Sequence, residues 1–160
     1  MPKIIKGENA AKEGKLAVGC SAAIFDESGE KILLIRRTDD VRWAIPGGFM
    51  EPGEDLYEAC AREVREETGL SILVDRLISV YTNPDLLFEY ADGNRWQFVI
   101  LHFRGIRTNG ELTTSEESSA CQFFNQIEAK QLNMSVLDHL RVDDAFLNQE
   151  HTIINNRFDF

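Results

Sequence analysis

GFMEPGEDLYEACAREVREETGL, residues 48 to 70, carries six glutamates and one aspartate, and Glu63, Glu66 and Glu67 stand within five positions of one another. Pro52 and Gly53 hold its first third in a loop, continuous with the preceding Pro46 and Gly47. From Asp55 the pattern turns helical. Asp55 is a suitable N-cap, the helix continues to Thr68, and Gly69 is its C-terminal stop. With Leu56 at zero and about 100° per residue, Cys60, Glu63 and Glu67 fall at roughly 40°, −20° and 20°, and Ala59 and Glu66 at roughly −60° and −80°. Arg62, Arg65 and Glu58 fall on the other side. Glu63 and Glu67 therefore extend the apolar stripe of the helix and point to the interior or to a cleft.

This placement has a cost that the helix does not offset. Like charges one turn apart destabilise a helix by roughly 0.2–0.5 kcal/mol per pair. An unpaired carboxylate taken out of water costs several kcal/mol, and the helix C-terminus is the unfavourable end for negative charge. Arg62 and Arg65 project elsewhere on the wheel, so a cation from outside the helix is expected. Ligands that are all oxygen suit Mg²⁺ or Mn²⁺, and no Cys or His pattern favours zinc. Mg²⁺ is commonly held by a few carboxylates together with substrate phosphates. The glutamates thus read as half of a site whose other half is a phosphorylated ligand.

Outward from this stretch, the 160 residues suit one domain over 1–160, with residues 1 to about 15 as a loose lead-in in which "KII" can add an edge strand. Leu16 to Phe25 is small and apolar, "DESG" is a turn, and "KILLIRR" is a continuously apolar strand expected to be buried on both faces. "IPGGFMEPGED" reads as loop and "SILVDRLISVY" as strand, and "ADGN" between "LLFEY" and "RWQFVILHF" marks a hairpin. "CQFF" is a short strand. Asn125 and Glu128 form a capping-box pattern, and Ser135 caps a last helix with Val136, Leu137, Leu140 and Leu147 on one side. This is a mixed α/β chain with helices covering a largely β core.

The net charge of −10 argues against nucleic-acid binding. Cys20, Cys60 and Cys121 are widely spaced, which fits reduced thiols. With no apolar run long enough for a membrane span and no apolar leader, a cytoplasmic location is expected.

Residues 48–70 resemble the signature of the Nudix hydrolases (MutT-like), G-x5-E-x7-R-E-U-x-E-E-x-G-U, where U is a bulky aliphatic residue. Gly48, Glu54, Arg62, Glu63, Val64, Glu66, Glu67, Gly69 and Leu70 all match. The resemblance extends to "LLIRR…W.IPGGF" and "SEESSACQFF", and so over roughly residues 16–130. It implies an α/β fold, an α/β/α sandwich around a mixed β-sheet, and a Mg²⁺-dependent pyrophosphohydrolase (Mn²⁺ as substitute). The linkage cleaved would be a diphosphate in a nucleoside diphosphate derivative, of nucleoside triphosphate, ADP-ribose or nucleotide-sugar type. A catalytically silent nucleotide-sensing or regulatory module is the alternative, and the intact signature speaks against it.

By resemblance, Glu63, Glu66 and Glu67 match metal-binding and general-base glutamates. Glu63 and Glu66 both remain candidates for the base, and Glu67 is read as a ligand. The carbonyl of Gly48, or of Gly47, matches a backbone metal ligand. Arg62 matches a residue that orients a catalytic glutamate, and Glu54 one that completes the outer metal shell, contacts substrate or pairs with that arginine. Arg37 aligns with a phosphate-contacting position, or else pairs with Asp39 or Asp40. Trp43 either stacks on a base or seals the core. Trp96, Phe88 and Tyr90 line a nucleoside pocket or pack against one another. Glu117 is a further metal-ligand candidate, although Ala120 stands where several relatives carry another glutamate. Many relatives form homodimers.

Overall fold

The strand Lys31–Arg37 (β3) shows why its apolar residues run without alternation. In the computed structural model, which describes residues 3–158, Leu33 enters a core shared with the helix Leu56–Thr68 (α1), while Ile32 and Leu34 enter a second core. The second core includes Val142 and Ala145 of the helix Val136–Leu147 (α3). Both faces of the strand are thus covered, and a side chain pointing either way leaves water.

Among the described residues the larger sheet has seven strands. The order β1 (Lys3–Lys6), β7 (Leu86–Glu89), β8 (Arg95–Asn109), β2 (Lys15–Ile24), β5 (Gly47–Phe49) forms its main path. β6 (Ser71–Thr82) adds to β8 and β10 (Ile153–Asn156) adds to β6. β2 and β8 run parallel and β6 and β8 antiparallel, so the sheet is mixed. A smaller sheet orders β4 (Trp43–Ala44), β3 and β9 (Ser118–Asn125). A short helix, α2 (Gln126–Lys130), follows β9, with both halves of the Asn125/Glu128 capping box present. The result is the α/β/α arrangement with α1 and α3 over the two cores. Among the described residues no helix is long and apolar enough to cross a membrane.

The hairpin expected at "ADGN" forms, with Glu89 opposite Arg95 and Gly93 at φ 82°. The edge strand foreseen at "KII" also forms, antiparallel to β7, so part of the expected loose lead-in is tied to the sheet. Two expectations are corrected. The "IPGGFMEPGED" segment is not all loop, because Gly47, Gly48 and Phe49 pair with Ser21, Cys20 and Gly19 of β2. In α3 the buried stripe is Asp138, Val142 and Ala145, whereas Val136 and Leu147 are exposed. The apolar spacing missed this because one of the inward positions is a carboxylate.

Candidate active site

α1 begins with a full capping box. The Asp55 carboxylate accepts the Tyr57 and Glu58 N–H groups, and Glu58 accepts the Asp55 N–H. The helix ends at Gly69, whose φ of 75° is left-handed and whose Cα lies against the 111–113 segment, where a Cβ would stand 2.5 Å from Thr113 Oγ1. Between these ends Ala59, Cys60 and Val64 are buried in the core. The inward stripe that they start is completed by acids.

Glu67 is the innermost, with 6% of its surface exposed. Its Oε2 accepts the Gly47 N–H at 2.8 Å, and no salt bridge reaches it among the described residues. Burial pushes its carboxyl up to about 8. The Gly47 hydrogen bond opposes that shift, and the charge of Glu63 adds to it. Glu63 lies directly over Gly48, where an added Cβ would fall 2.4 Å from its carboxyl group. Burial raises the Glu63 carboxyl too, against the pull of Arg62. Glu66 is largely in solvent, its side chain 60% exposed. The Gly48 carbonyl accepts a 3.7 Å contact from the Cys20 thiol.

Arg62 does not project away from the acids as the wheel implied. Its guanidinium grips Glu54 at 2.6 and 3.0 Å, meets Glu63 at 2.9 Å and Glu66 at 3.3 Å, and donates to the Phe49 carbonyl at 3.0 Å. A wheel angle gives the direction in which Cβ leaves the backbone, and the flexible stem of arginine carries its charged end well beyond that direction. Arg62 holds the Glu54 carboxyl down at about 2. Glu54 is therefore turned to Arg62 and lines neither cavity described below.

The remaining sequence candidates divide. Glu117 stands close enough that its charge raises both the Glu63 and the Glu67 carboxyls, and its own carbonyl accepts the Thr38 N–H at 2.9 Å. Arg37 is forked onto Asp39 at 2.9 and 2.8 Å, the pairing that was the alternative to phosphate contact, though its charge is felt at Glu67. Trp43 sits edge-on to Phe124 at 4.8 Å and packs against the second core. It also borders a cavity of about 220 Å³ together with Arg37, Asp40, Arg42, Asp138 and Arg141.

Beside the glutamates lies a cleft of about 630 Å³ that the sequence only partly disclosed. Tyr90 and Trp96 line it as one of the two readings required, while Phe88 packs on Phe98 at 4.7 Å. Phe49 and Phe98, 5.0 Å apart, and the strand residues Leu16 and Val18 complete its apolar wall. Phe98 was legible in principle, since it follows Trp96 by two and so shares its face of the strand. Phe49 was not, because it lay in a segment read as loop.

Whether these residues suit a divalent cation turns on Glu67 and its neighbours. Among the described residues no three acidic, cysteine or histidine side chains converge as a ready cage. The donor chemistry nevertheless fits. Glu67 and Glu63 offer desolvated oxygen donors flanking the Gly47–Gly48 backbone, and one of them has no basic side chain bonded to it. Oxygen donors of this kind are the chemistry that a hard dication takes.

Comparison with known proteins places the chain in a family. The model of the NUDIX domain matches residues 15–146, and the chain belongs to the Nudix hydrolase family. It is 33% identical over 129 residues to a MutT-like protein of Streptomyces ambofaciens, spanning 81% of this chain and 76% of that one. It is 36% identical over 102 residues to an ADP-ribose pyrophosphatase of Methanocaldococcus jannaschii, spanning 62% of this chain and 57% of that one. It is 41% identical over 66 residues to a putative 8-oxo-dGTP diphosphatase of Bacillus subtilis, there spanning 41% of this chain and 44% of that one. The match thus spans little more than half the length of the M. jannaschii relative and less than half that of the B. subtilis one. Among solved structures, the MutT protein of Methanosarcina mazei superimposes with a TM-score of 0.69 at 21% identity, over 87% of this chain and 99% of that one. That likeness establishes the fold.

Proposed function

We propose that the protein is a Mg²⁺-dependent pyrophosphohydrolase that cleaves a diphosphate linkage in a nucleoside diphosphate derivative, with Mn²⁺ able to substitute. The observation that carries this reading is the buried, salt-bridge-free Glu67 beside Glu63, set against Gly47–Gly48, with an aromatic cleft opening at the very next residue, Phe49. Glu63, Glu66, Glu67, the Gly48 carbonyl and Glu117 would hold the metal. A divalent cation held there would supply charge neutralisation at the phosphates and activation of water.

The chain's own residues do the rest. The aromatic wall of Phe49, Trp96 and Phe98 takes an uncharged ring, because aromatic and apolar surfaces favour nucleobase stacking and repel a phosphate tail. That orients the phosphates towards the glutamates. Arg62 ties Glu54 and Glu63 to the Phe49 carbonyl, and so links these two acids to the backbone of the cleft wall. Glu63 or Glu66 takes the proton of the attacking water. A positioned base of this kind contributes on the order of 10²–10⁴-fold. The names of the relatives include an ADP-ribose pyrophosphatase and a putative 8-oxo-dGTP diphosphatase, and an apolar cleft reads the nucleoside while leaving the second half of the substrate open.

The test is Mg²⁺-dependent turnover on a panel of nucleoside triphosphates, ADP-ribose, nucleotide sugars and dinucleotides, reading phosphate, pyrophosphate and monophosphate release. Turnover that EDTA abolishes is the expected result. Binding without turnover across the panel overturns the enzymatic reading in favour of a sensing module.

A further inference from the structure

The last carbonyls of a helix have no partner within it and must find one elsewhere. At the end of α1 they find it in the segment between β8 and β9 and in β9 itself. Ser118, fully buried, donates its hydroxyl to the Glu67 carbonyl at 2.8 Å, and the Cys121 thiol reaches the same oxygen at 3.5 Å. One residue on, the Thr68 carbonyl accepts the Thr113 N–H at 2.9 Å. The loop is also held from within: Ser115 Oγ receives the N–H groups of Glu117 and Ser118, and stands 3.1 Å from Ser118 Oγ. On its far side Ser118 is registered with Arg37, and the Glu117 carbonyl accepts the Thr38 N–H.

One hydroxyl therefore joins two acids that are distant in sequence. Ser118 follows Glu117 directly in the chain and bonds to the backbone of Glu67. We propose that Ser118 is a positioning residue, which fixes the Glu117 loop against the Glu67 end of α1 and so sets the spacing of two carboxylates contributed by different elements. It touches neither substrate nor metal, and acts through Glu67 and Glu117. The inference rests on the functional reading above, in which those two acids share a cation.

A residue that merely supports the fold would affect melting alone, and a positioning residue must also affect what the acids bind. The probe is Mn²⁺, followed by the loss of its free-ion electron paramagnetic resonance signal, alongside kcat and KM on whichever nucleotide the wild type turns over. All variants are measured at a temperature where circular dichroism shows them native. Ser118→Ala is expected to weaken Mn²⁺ binding and lower kcat by about tenfold each, the usual scale for losing a partner that orients a metal ligand, with KM changed less than about twofold. In a Glu67→Gln background the same substitution should weaken residual Mn²⁺ binding by clearly less than tenfold, because one of the two carboxylates whose spacing it sets has gone. Cys121→Ala removes the longer contact to the same carbonyl together with the thiol's 3.2 Å contact to the Thr113 carbonyl, and should shift both readouts in the same direction by about twofold.

If Ser118→Ala binds Mn²⁺ and turns over like wild type, or weakens binding equally with and without Glu67, the coupling does not exist. A Cys121→Ala effect confined to melting temperature points the same way. Failure of the wild type itself to bind Mn²⁺ or to hydrolyse anything would instead overturn the functional reading, so the two failures are distinguishable.

Discussion

Glu67 and Asp138 lie on the helices that cover opposite faces of the sheet, and they are almost equally buried, at 6% and 7% exposed. Their surroundings differ completely. Asp138 is saturated: it pairs with Arg141, accepts the Ser135 hydroxyl and takes the Ile45 N–H at 3.2 Å. Glu67 has one backbone N–H and no salt bridge. The first carboxylate has every partner that a buried charge needs, and its work is to clamp α3 to the segment before Gly47. The second has no charged side chain bonded to it among the described residues, and on the proposed reading a cation fills that place. The contrast sets a carboxylate satisfied by the fold against one that the proposed function employs, although the two are almost equally buried.

The sharpest way to break this contrast is to neutralise each acid in turn. Glu67→Gln should lower kcat by about 10³-fold, equivalent to about 4 kcal/mol of barrier, yet leave metal-free stability at neutral pH no lower than wild type. Steady-state kinetics and urea melts in EDTA check the two halves. Asp138→Ala should do the reverse in emphasis, costing about 3–5 kcal/mol of stability because Arg141 is left buried without its partner. A urea midpoint within error of wild type would show that the α3 clamp carries no weight.

A smaller effect sharpens the comparison through pH. His102, buried against Ser21 on the α3 side of the sheet, is driven down to about 3 from an ordinary 6.5, first by burial and then by the charge of Arg141. The unfolded chain takes that proton near 6.5 while the native state refuses it, so this contribution is complete above 6.5 and drains as pH falls towards 3. Metal-free Glu67 has the opposite sign. Its folded value of about 8 lies above an ordinary 4.5, so its contribution is complete below 4.5 and is lost as pH rises through 8. Between 4.5 and 6.5 the two slopes oppose one another. Glu67→Gln should therefore add a loss of stability on acidification of up to about 1.4 kcal/mol per pH unit in that window, read from urea melts in EDTA. An unchanged slope would mean that Glu67 titrates normally and is not short of a cation.

Local patterns were legible in the sequence, and contacts that join distant segments were not. The wheel placed Glu63 and Glu67 on the inward stripe of α1 because helical geometry is local. "KILLIRR" announced a strand covered on both faces for the same reason. Arg62 was misplaced because its charged end travels far from its Cβ. The Gly47 N–H on Glu67, the Ser118 hydroxyl on its carbonyl and the Asp138 bond to Ile45 each link segments 20, 51 or 93 positions apart. No periodicity reports such pairs. The α3 stripe failed for a related reason, since hydrophobic spacing cannot anticipate that an aspartate faces inward once Arg141 and Ile45 are there to receive it.

Gly47 and Gly48 carry a consequence for anyone who would redirect this protein to new substrates. A Cβ on Gly47 would collide with the Cys20 carbonyl at 2.2 Å, and one on Gly48 with the Glu63 carboxyl group at 2.4 Å. Gly47 faces backbone and has no sequence freedom, a side chain at Gly48 has to push the Glu63 carboxyl aside, and Phe49, directly after them, is 46% exposed and forms part of the cleft wall. A randomised library can therefore begin at residue 49 and vary Tyr90, Trp96 and Phe98 with it, while diversity at Gly48 displaces the Glu63 carboxyl and diversity at Gly47 collides with the backbone of β2.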